Sequence, residues 1–286
     1  MRLGTVLSGD SLLTVASDDG SVVHDISRYA GPDGLCGLIG AVELDDIATI
    51  DLSAYPIIDP QNVRWLPPIP KPGKIFCVGL NFSTHAAEVV TEVRDNPTLF
   101  TRFPSSFVGH EEPLIRPHVS DTLDWEGEIA VVIGKAGRHI SATDAPNHVA
   151  GYTVMGENSV REWQLHSKQA TAGKNFDSSG SWGPWIVTRD EVPNPSALEI
   201  VTELNGSQVQ HGKLADLVFD IDAIIAYIST FTELSPGDVI ATGTPAGIGH
   251  RQKPPRYLAP GDELTIRIPG LMELRNSVAD DSAGSK

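Results

Sequence analysis

Cysteine is nearly absent. Two residues, Cys36 and Cys77, in a chain of 286 are too few for a disulfide framework or a thiolate metal site. Positive charge is scarce as well: 21 Lys and Arg face 37 Asp and Glu, a formal net charge of −16. Such an acidic surface repels nucleic acid and anionic membranes, so neither is expected as a partner. No apolar run approaches the roughly 20 residues of a membrane span. The opening MRLGTVLSGDS is interrupted by Gly, Ser and Asp and does not read as a signal peptide, so a cytoplasmic location is expected. Several common motifs are missing too: GxGxxG, the Walker loop, GxSxG and CxxC, while His110-Glu111-Glu112 lacks the second histidine of a zinc HExxH. What the chain does have is 27 Gly and 21 Pro within an ordinary globular composition of 40% hydrophobic and 20% charged residues. That balance favours turns and short strands over long helical bundles.

The chain divides near residue 70. Residues 1–60 carry short apolar pieces (Leu12–Val15, Val22–Val23) between turn residues, the pattern of a small packing module. The segment WLPPIPKPGK (65–74) holds four prolines, which fix φ and remove donors, so it reads as an extended linker. We therefore expect a small N-terminal domain with its linker over 1–70 and a second domain over 71–286. In the latter, strands are predicted at Ile75–Val78, Glu128–Gly134, Val149–Met155, Trp185–Thr188, Leu198–Leu204, Asp238–Thr242 and Glu263–Ile268. Helices are predicted at Ser83–Val93 and Leu217–Thr232, the second from the spacing of Ile221, Ile224, Ile225 and Ile228. Strands dominate, and the expected class is mixed, β-rich α/β.

Chemistry-bearing residues are dispersed. In DWEGEIAVVIG (124–134), Glu126 and Glu128 are two apart at the mouth of an apolar strand, and period two places both on one face. Two carboxylates on a partly buried face repel unless a cation lies between them, and oxygen ligands suit Mg²⁺ or Mn²⁺; the alternative is an exposed pair at a strand end. In GYTVMGENSVREWQ (151–164), Glu157 is a third acid in a loop. Arg161 and Gln164 follow four and seven residues later, one helical face suited to a substrate carboxylate and an oxyanion, or else a plain helix start. In VGLNFSTHAAE (78–88), His85 and Glu88 have the i, i+3 spacing of an acid–base dyad, or of a solvated pair. Lys174 lies among Gly, Phe and Trp as a candidate buried cation or a turn lysine. Thr242, Gly243 and Thr244 follow a strand with backbone and hydroxyls available to a ligand.

Taken in order, KIFCVGLNFSTHAAE, DWEGEIAVVIGK, GYTVMGENSVREWQ, GKNFDSSGSWGPWIVT, GDVIATGTPAGIG and LRNSV resemble the fumarylacetoacetate hydrolase family from about residue 74 to 278. The resemblance implies a β-roll (mixed β-sandwich) catalytic domain behind a small N-terminal α+β domain, and a homodimer. It implies a Mg²⁺ or Mn²⁺ site at Glu126, Glu128 and Glu157. It also implies a water-activating dyad at His85 and Glu88 on a lid segment, a site lysine at Lys174, an oxyanion or lid contact at Gln164, and substrate contacts at Thr244 and Arg161. The family usually has aspartate where this chain has Glu157, in a pattern like NDxSxRDWQ; here the segment reads GENSVREWQ. The implied activity is metal-dependent hydrolysis of a C–C bond in a 1,3-dicarbonyl, acylpyruvate-like acid. Isomerisation or decarboxylation of an unsaturated 2-oxo acid would use the same enolate. A third reading is a catalytically silent dimer that binds a metal or an oxo acid.

Overall fold

The strand Gly127–Ile133 is buried at every position. A strand with so long an apolar run, Ile129–Ile133, must be covered on both faces, and in the computed structural model, which describes residues 1–41, 44–47, 49–83 and 95–282, it is. Ile129, Val131 and Ile133 enter one core with Ile200, Leu264, Ile266 and the helix residues Ile224, Ile225 and Ile228. Ala130 and Val132 enter a second core with Leu3, Leu35, Leu38, Ile39 and Trp182. Each Ile, Leu or Val so covered contributes roughly 1.5–3 kcal/mol relative to leaving it in water.

Among the described residues a twelve-stranded sheet runs, in hydrogen-bonded order, through Ser11–Ser17, Arg2–Ser8, Gly180–Thr188, Val149–Gly156, Gly127–Ile133, Val239–Ala241, Ile75–Gly79 and Thr98–Thr101. Most neighbours are antiparallel, but Val239–Ala241 pairs parallel with Ile75–Gly79, so the sheet is mixed. A five-stranded sheet of Ser207–Lys213, Glu199–Leu204, Glu263–Ile268, Met272–Asp280 and Leu114–Arg116 packs on it. The approach is close: a Cβ on Gly127 would lie 2.0 Å from Thr202 Oγ1. The protein is a β-rich α/β fold, as its strand pattern predicts.

The helix predicted from Leu217 begins instead at Ile221 and ends at Phe231. Asp220 caps it, its side chain accepting from Ala223 N at 2.8 Å; a cap satisfies an otherwise open first-turn donor and fixes the start. The strand predicted at Trp185–Thr188 starts earlier, at Gly180. The N-terminal apolar patch is also a strand, Arg2–Ser8, pairing antiparallel with Gly180–Thr188 through Leu3 and Ile186. The helix predicted over Ser83–Val93 lies, beyond Ser83, outside the described residues. No helix among the described residues is long and apolar enough to cross a membrane.

Candidate metal centre and substrate site

The strands Gly127–Ile133 and Val149–Gly156 pair antiparallel with Gly127 opposite Gly156 and Glu128 opposite Met155. One step further, Glu157 N donates to Glu126 O at 2.9 Å, so Glu157 stands across from Glu126. Cross-strand neighbours share a face, as do residues two apart on one strand. Register alone therefore brings Glu126, Glu128 and Glu157 together. One carboxylate oxygen from each lies within 4.8 Å of the others, and all three residues are buried. The two-apart glutamates point inward, not to solvent, because their face continues into the core lined by Ala130 and Val132.

Three cations surround this triad. Lys174 is buried at the end of a short helix, Thr171–Lys174. Its Nζ donates to Glu126 Oε1 at 3.1 Å and to the Glu157 carbonyl at 3.2 Å, and contacts Glu157 Oε2. Gly173 makes this possible: a Cβ there would fall 2.3 Å from Gln164 N, so only glycine lets the lysine turn close onto the Arg161–Gln164 turn. Arg161 donates from Nε to Asp124 Oδ2 at 2.7 Å and from Nη1 to Gln164 Oε1 at 3.0 Å, and Nη1 is 2.6 Å from Glu126 Oε1. Arg102, fully buried, donates from Nη1 to Glu157 Oε1 at 3.1 Å and to Asn158 O at 3.0 Å; its remaining nitrogens meet Ser106 and Ser179.

Glu128 is held differently. Its Oε2 accepts from Gly243 N at 2.8 Å, and Gly243 has φ +110°, a conformation open to glycine and strained for other residues. Thr242 Oγ1 donates to Ile129 O at 2.8 Å. Thr244 Oγ1 donates to Gly127 O at 3.0 Å and accepts from Gln210 Nε2 at 2.8 Å. The Thr242–Thr244 segment thus reaches the site through its backbone, and its hydroxyls brace the strand beneath.

Burial is the main electrostatic cost. It pushes the Glu128 carboxyl well above the usual carboxylate range, with Glu157 and Glu126 adding to the push. Glu157 is raised by burial too, against the pull of Lys174 and Arg102. For Lys174 burial works against the charge, but Glu126 and Glu157 outweigh it and the ammonium is stabilised. Arg161 is likewise stabilised by Glu126 and Asp124 despite burial. Four buried acids (Asp124, Glu126, Glu128, Glu157) face three buried cations (Arg102, Arg161, Lys174). An oxygen-only donor set with negative charge to spare suits a hard divalent cation, and the residues present fit Mg²⁺ or Mn²⁺.

Of the residues singled out from sequence, Glu126, Glu128, Glu157, Lys174, Arg161 and Gln164 assemble around one point, and Thr244 braces its floor. His85 and Glu88 lie outside the described residues. Sequence reasoning missed Arg102, Asp124 and Gln210. Asp124 heads the DWEGE segment and could have been flagged by its place; Arg102 and Gln210 carry no periodic or spacing signal, since what marks them is burial among distant partners.

Residues 74–279 match the family model described as fumarylacetoacetate (FAA) hydrolase, C-terminal. The chain belongs to the fumarylacetoacetate hydrolase family. Among its relatives is the human mitochondrial oxaloacetate tautomerase FAHD2A, 43% identical over 225 residues that cover 78% of this chain and 72% of that protein. Among solved structures, the fumarylacetoacetate hydrolase of Exiguobacterium antarcticum superposes with a TM-score of 0.87 at 33% identity, covering 98% of this chain and 100% of that one. The maleylpyruvate hydrolase of Sphingobium sp. SYK-6, solved with manganese(II) and pyruvate, superposes with a TM-score of 0.83 at 28% identity, covering 99% and 100%. The mixed, β-rich α/β fold expected from the resemblance is the observed one, and Glu157 brings its carboxylate to the other two.

Proposed function

We propose that this protein is a divalent-metal-dependent isomerase that interconverts the enol and keto forms of a small anionic 2-oxo acid of the oxaloacetate type. The reading is carried by the buried Glu126–Glu128–Glu157 triad with Lys174 and Arg161 around it, in a chain similar to an oxaloacetate tautomerase. That relative moves the balance from hydrolysis, the activity first expected from the sequence, to isomerisation. Mg²⁺ or Mn²⁺ held by the triad supplies Lewis acidity to adjacent carbonyl and carboxylate oxygens.

The chain's own groups supply binding and proton control. Lys174 Nζ, kept charged by Glu126 and Glu157, steadies negative charge on the enolate oxygen and does not give up its proton. Arg161 takes a carboxylate. Gln164 gives its carbonyl oxygen to Arg161, which leaves the amide nitrogen as a donor for an oxyanion. Thr244 can turn its hydroxyl from Gly127 O to a carboxylate oxygen. His85 and Glu88, the acid–base pair the resemblance implies, are assigned the proton transfer between oxygen and carbon. The net −16 charge does not exclude an anionic substrate, because a bound cation with Lys174 and Arg161 inverts the local field.

The test follows the ultraviolet absorbance of enol-oxaloacetate with Mg²⁺ or Mn²⁺. Faster decay to a single keto product supports the reading, and no acceleration overturns it. A second reading, C–C hydrolysis of an acylpyruvate, is favoured by the likeness to maleylpyruvate hydrolase; it would use His85 and Glu88 to activate water and would release two fragments. The homodimer is part of the proposal and is checked by light scattering. The compartment, cytoplasmic on the sequence reading, is checked by imaging the tagged chain.

A further inference from the structure

Arg161 is buried, with 6% of its surface exposed. Nε is taken by Asp124 and Nη1 by Glu126 and Gln164. Nη2 is buried and has no hydrogen-bond partner among the described residues. A charged donor left open in the interior costs free energy until an acceptor reaches it, so this nitrogen points to a ligand. Nη2 is bonded to the same carbon as Nη1, which is 2.6 Å from a carboxylate of the triad. The missing acceptor therefore belongs beside the proposed metal centre, and a guanidinium edge is matched by a carboxylate.

What fixes the guanidinium is Asp124, itself completely buried. Its Oδ1 accepts from Gly249 N at 2.8 Å, and its Oδ2 accepts from His250 N at 3.0 Å and Arg161 Nε at 2.7 Å. The next residue, Trp125, donates from Nε1 to Gly247 O at 3.1 Å, and Leu258 N donates to Leu123 O at 2.7 Å. The turn after Thr244 is thus tied to the same two-residue strand, Leu123–Asp124, that aims Arg161. Gly249 cannot carry a side chain there, since a Cβ would sit 2.8 Å from Asp124 Oδ1 and 1.9 Å from Arg256 O.

We propose that Asp124 is a positioning residue that locks Arg161 with Nη2 open, and that this nitrogen takes the second carboxylate of a 2-oxo dicarboxylic acid. Asp124 itself does not touch the substrate. The inference rests on the 2-oxo acid reading above and adds to it the atom that takes the second carboxylate and the residue that positions that atom.

The test compares two stable 2-hydroxy acids that differ by one carboxylate, malate and lactate, titrated by calorimetry into the protein in the presence of Mn²⁺. The wild type should bind malate more tightly than lactate. Asp124→Asn should weaken malate about tenfold and leave lactate within twofold, with Mn²⁺ affinity retained. Arg161→Lys, which keeps the charge and removes the fork, should weaken malate relative to lactate to the same degree, with both acids titrated at saturating Mn²⁺ because Arg161 also touches Glu126. In the double variant Asp124→Asn should add little, because both changes act through one contact. Equal weakening of malate and lactate, full additivity in the double variant, or no preference for malate in the wild type would each overturn the proposal. Should enol-oxaloacetate not be ketonised faster, the reaction assigned above fails while this binding comparison still stands.

Discussion

Glu157 carries one methylene more than aspartate, and the extra reach is in use. One carboxylate oxygen meets Arg102 and the other Lys174, while the backbone is fixed to Glu126. Glu157→Asp should therefore draw the carboxylate back and lower Mn²⁺ affinity, and Glu157→Ala should lower it further; isothermal calorimetry checks both, and unchanged affinity in the alanine variant would remove Glu157 from the ligand set. Arg102 acts one step behind. Arg102→Lys keeps the positive charge but loses the planar fork that spans Glu157, Asn158 and Ser179. A loss of about tenfold in metal affinity is expected, the usual cost of disturbing an outer partner of a ligand, with the melting temperature as a control for folding. At this scale much was legible. Glu126 and Glu128 announce themselves by spacing, and Lys174 by its Gly-rich, aromatic setting. Arg102 does not, because an arginine becomes informative only when the fold buries it.

At the scale of elements, the site depends on two short turns packed together, Arg161–Gln164 and Thr171–Lys174. Gly173→Ala would push a methyl group onto the Gln164 backbone and separate the turn of Lys174 from that of Arg161. We expect a folded protein with reduced activity and weaker binding of anionic ligands, checked by steady-state kinetics alongside calorimetry. The loop at 109–112 is a separate device. His110 Nδ1 accepts from Arg275 N at 3.1 Å, and Asn276 Nδ2 donates to Gly109 O and Glu112 O, both at 2.8 Å. An accepting nitrogen carries no proton, so this arrangement needs the neutral ring. Burial lowers the pKa of His110, with Glu111 opposing and Arg275 assisting. A histidine whose folded-state pKa is depressed stabilises the fold above its ordinary value and loses that contribution as pH falls below about 6.5. Thermal scans should show a smaller acid-side loss of melting temperature in His110→Asn than in the wild type. The main strands could be read from apolar runs, yet Arg2–Ser8 could not, because Gly4, Thr5 and Ser8 interrupt its apolar residues. It forms a hairpin with Ser11–Ser17, and its junction with Gly180–Thr188 bridges segments far apart in the chain, which a local pattern does not reveal. The helix start moved from Leu217 to Ile221 because periodicity does not weigh a cap, whereas Asp220 does.

For the molecule as a whole, the acids at the centre set the response to pH and metal. Glu128 and Glu157 have raised pKa values from burial and from repulsion by neighbouring carboxylates, Glu157 and Glu126 on Glu128 and Glu126 on Glu157. In the metal-free protein the native state therefore binds more protons than the unfolded chain in the range above the ordinary glutamate value. Stability in that range falls as pH rises. Metal binding requires the deprotonated acids and has the opposite dependence. Mn²⁺ should thus raise the melting temperature by an amount that grows with pH, about 2.7 kcal/mol of stabilisation at a hundredfold excess over Kd; a shift independent of pH in calorimetric scans would disconnect the metal from the triad. Glu126→Gln should reduce the shift, since it removes one ligand charge. The family and the fold were legible in the order of motifs, but the reaction was not. Both the hydrolysis and the isomerisation readings call on the same buried triad, so the spacing of the motifs does not separate them. The most direct test is the ketonisation of enol-oxaloacetate by wild-type protein as isolated, after chelation, and after Mg²⁺ or Mn²⁺ is restored. Acceleration is expected that chelation abolishes and metal restores, with oxaloacetate in its keto form as the single product. No acceleration, or full activity in a demonstrably metal-free preparation, would contradict the metal-dependent isomerisation proposed above.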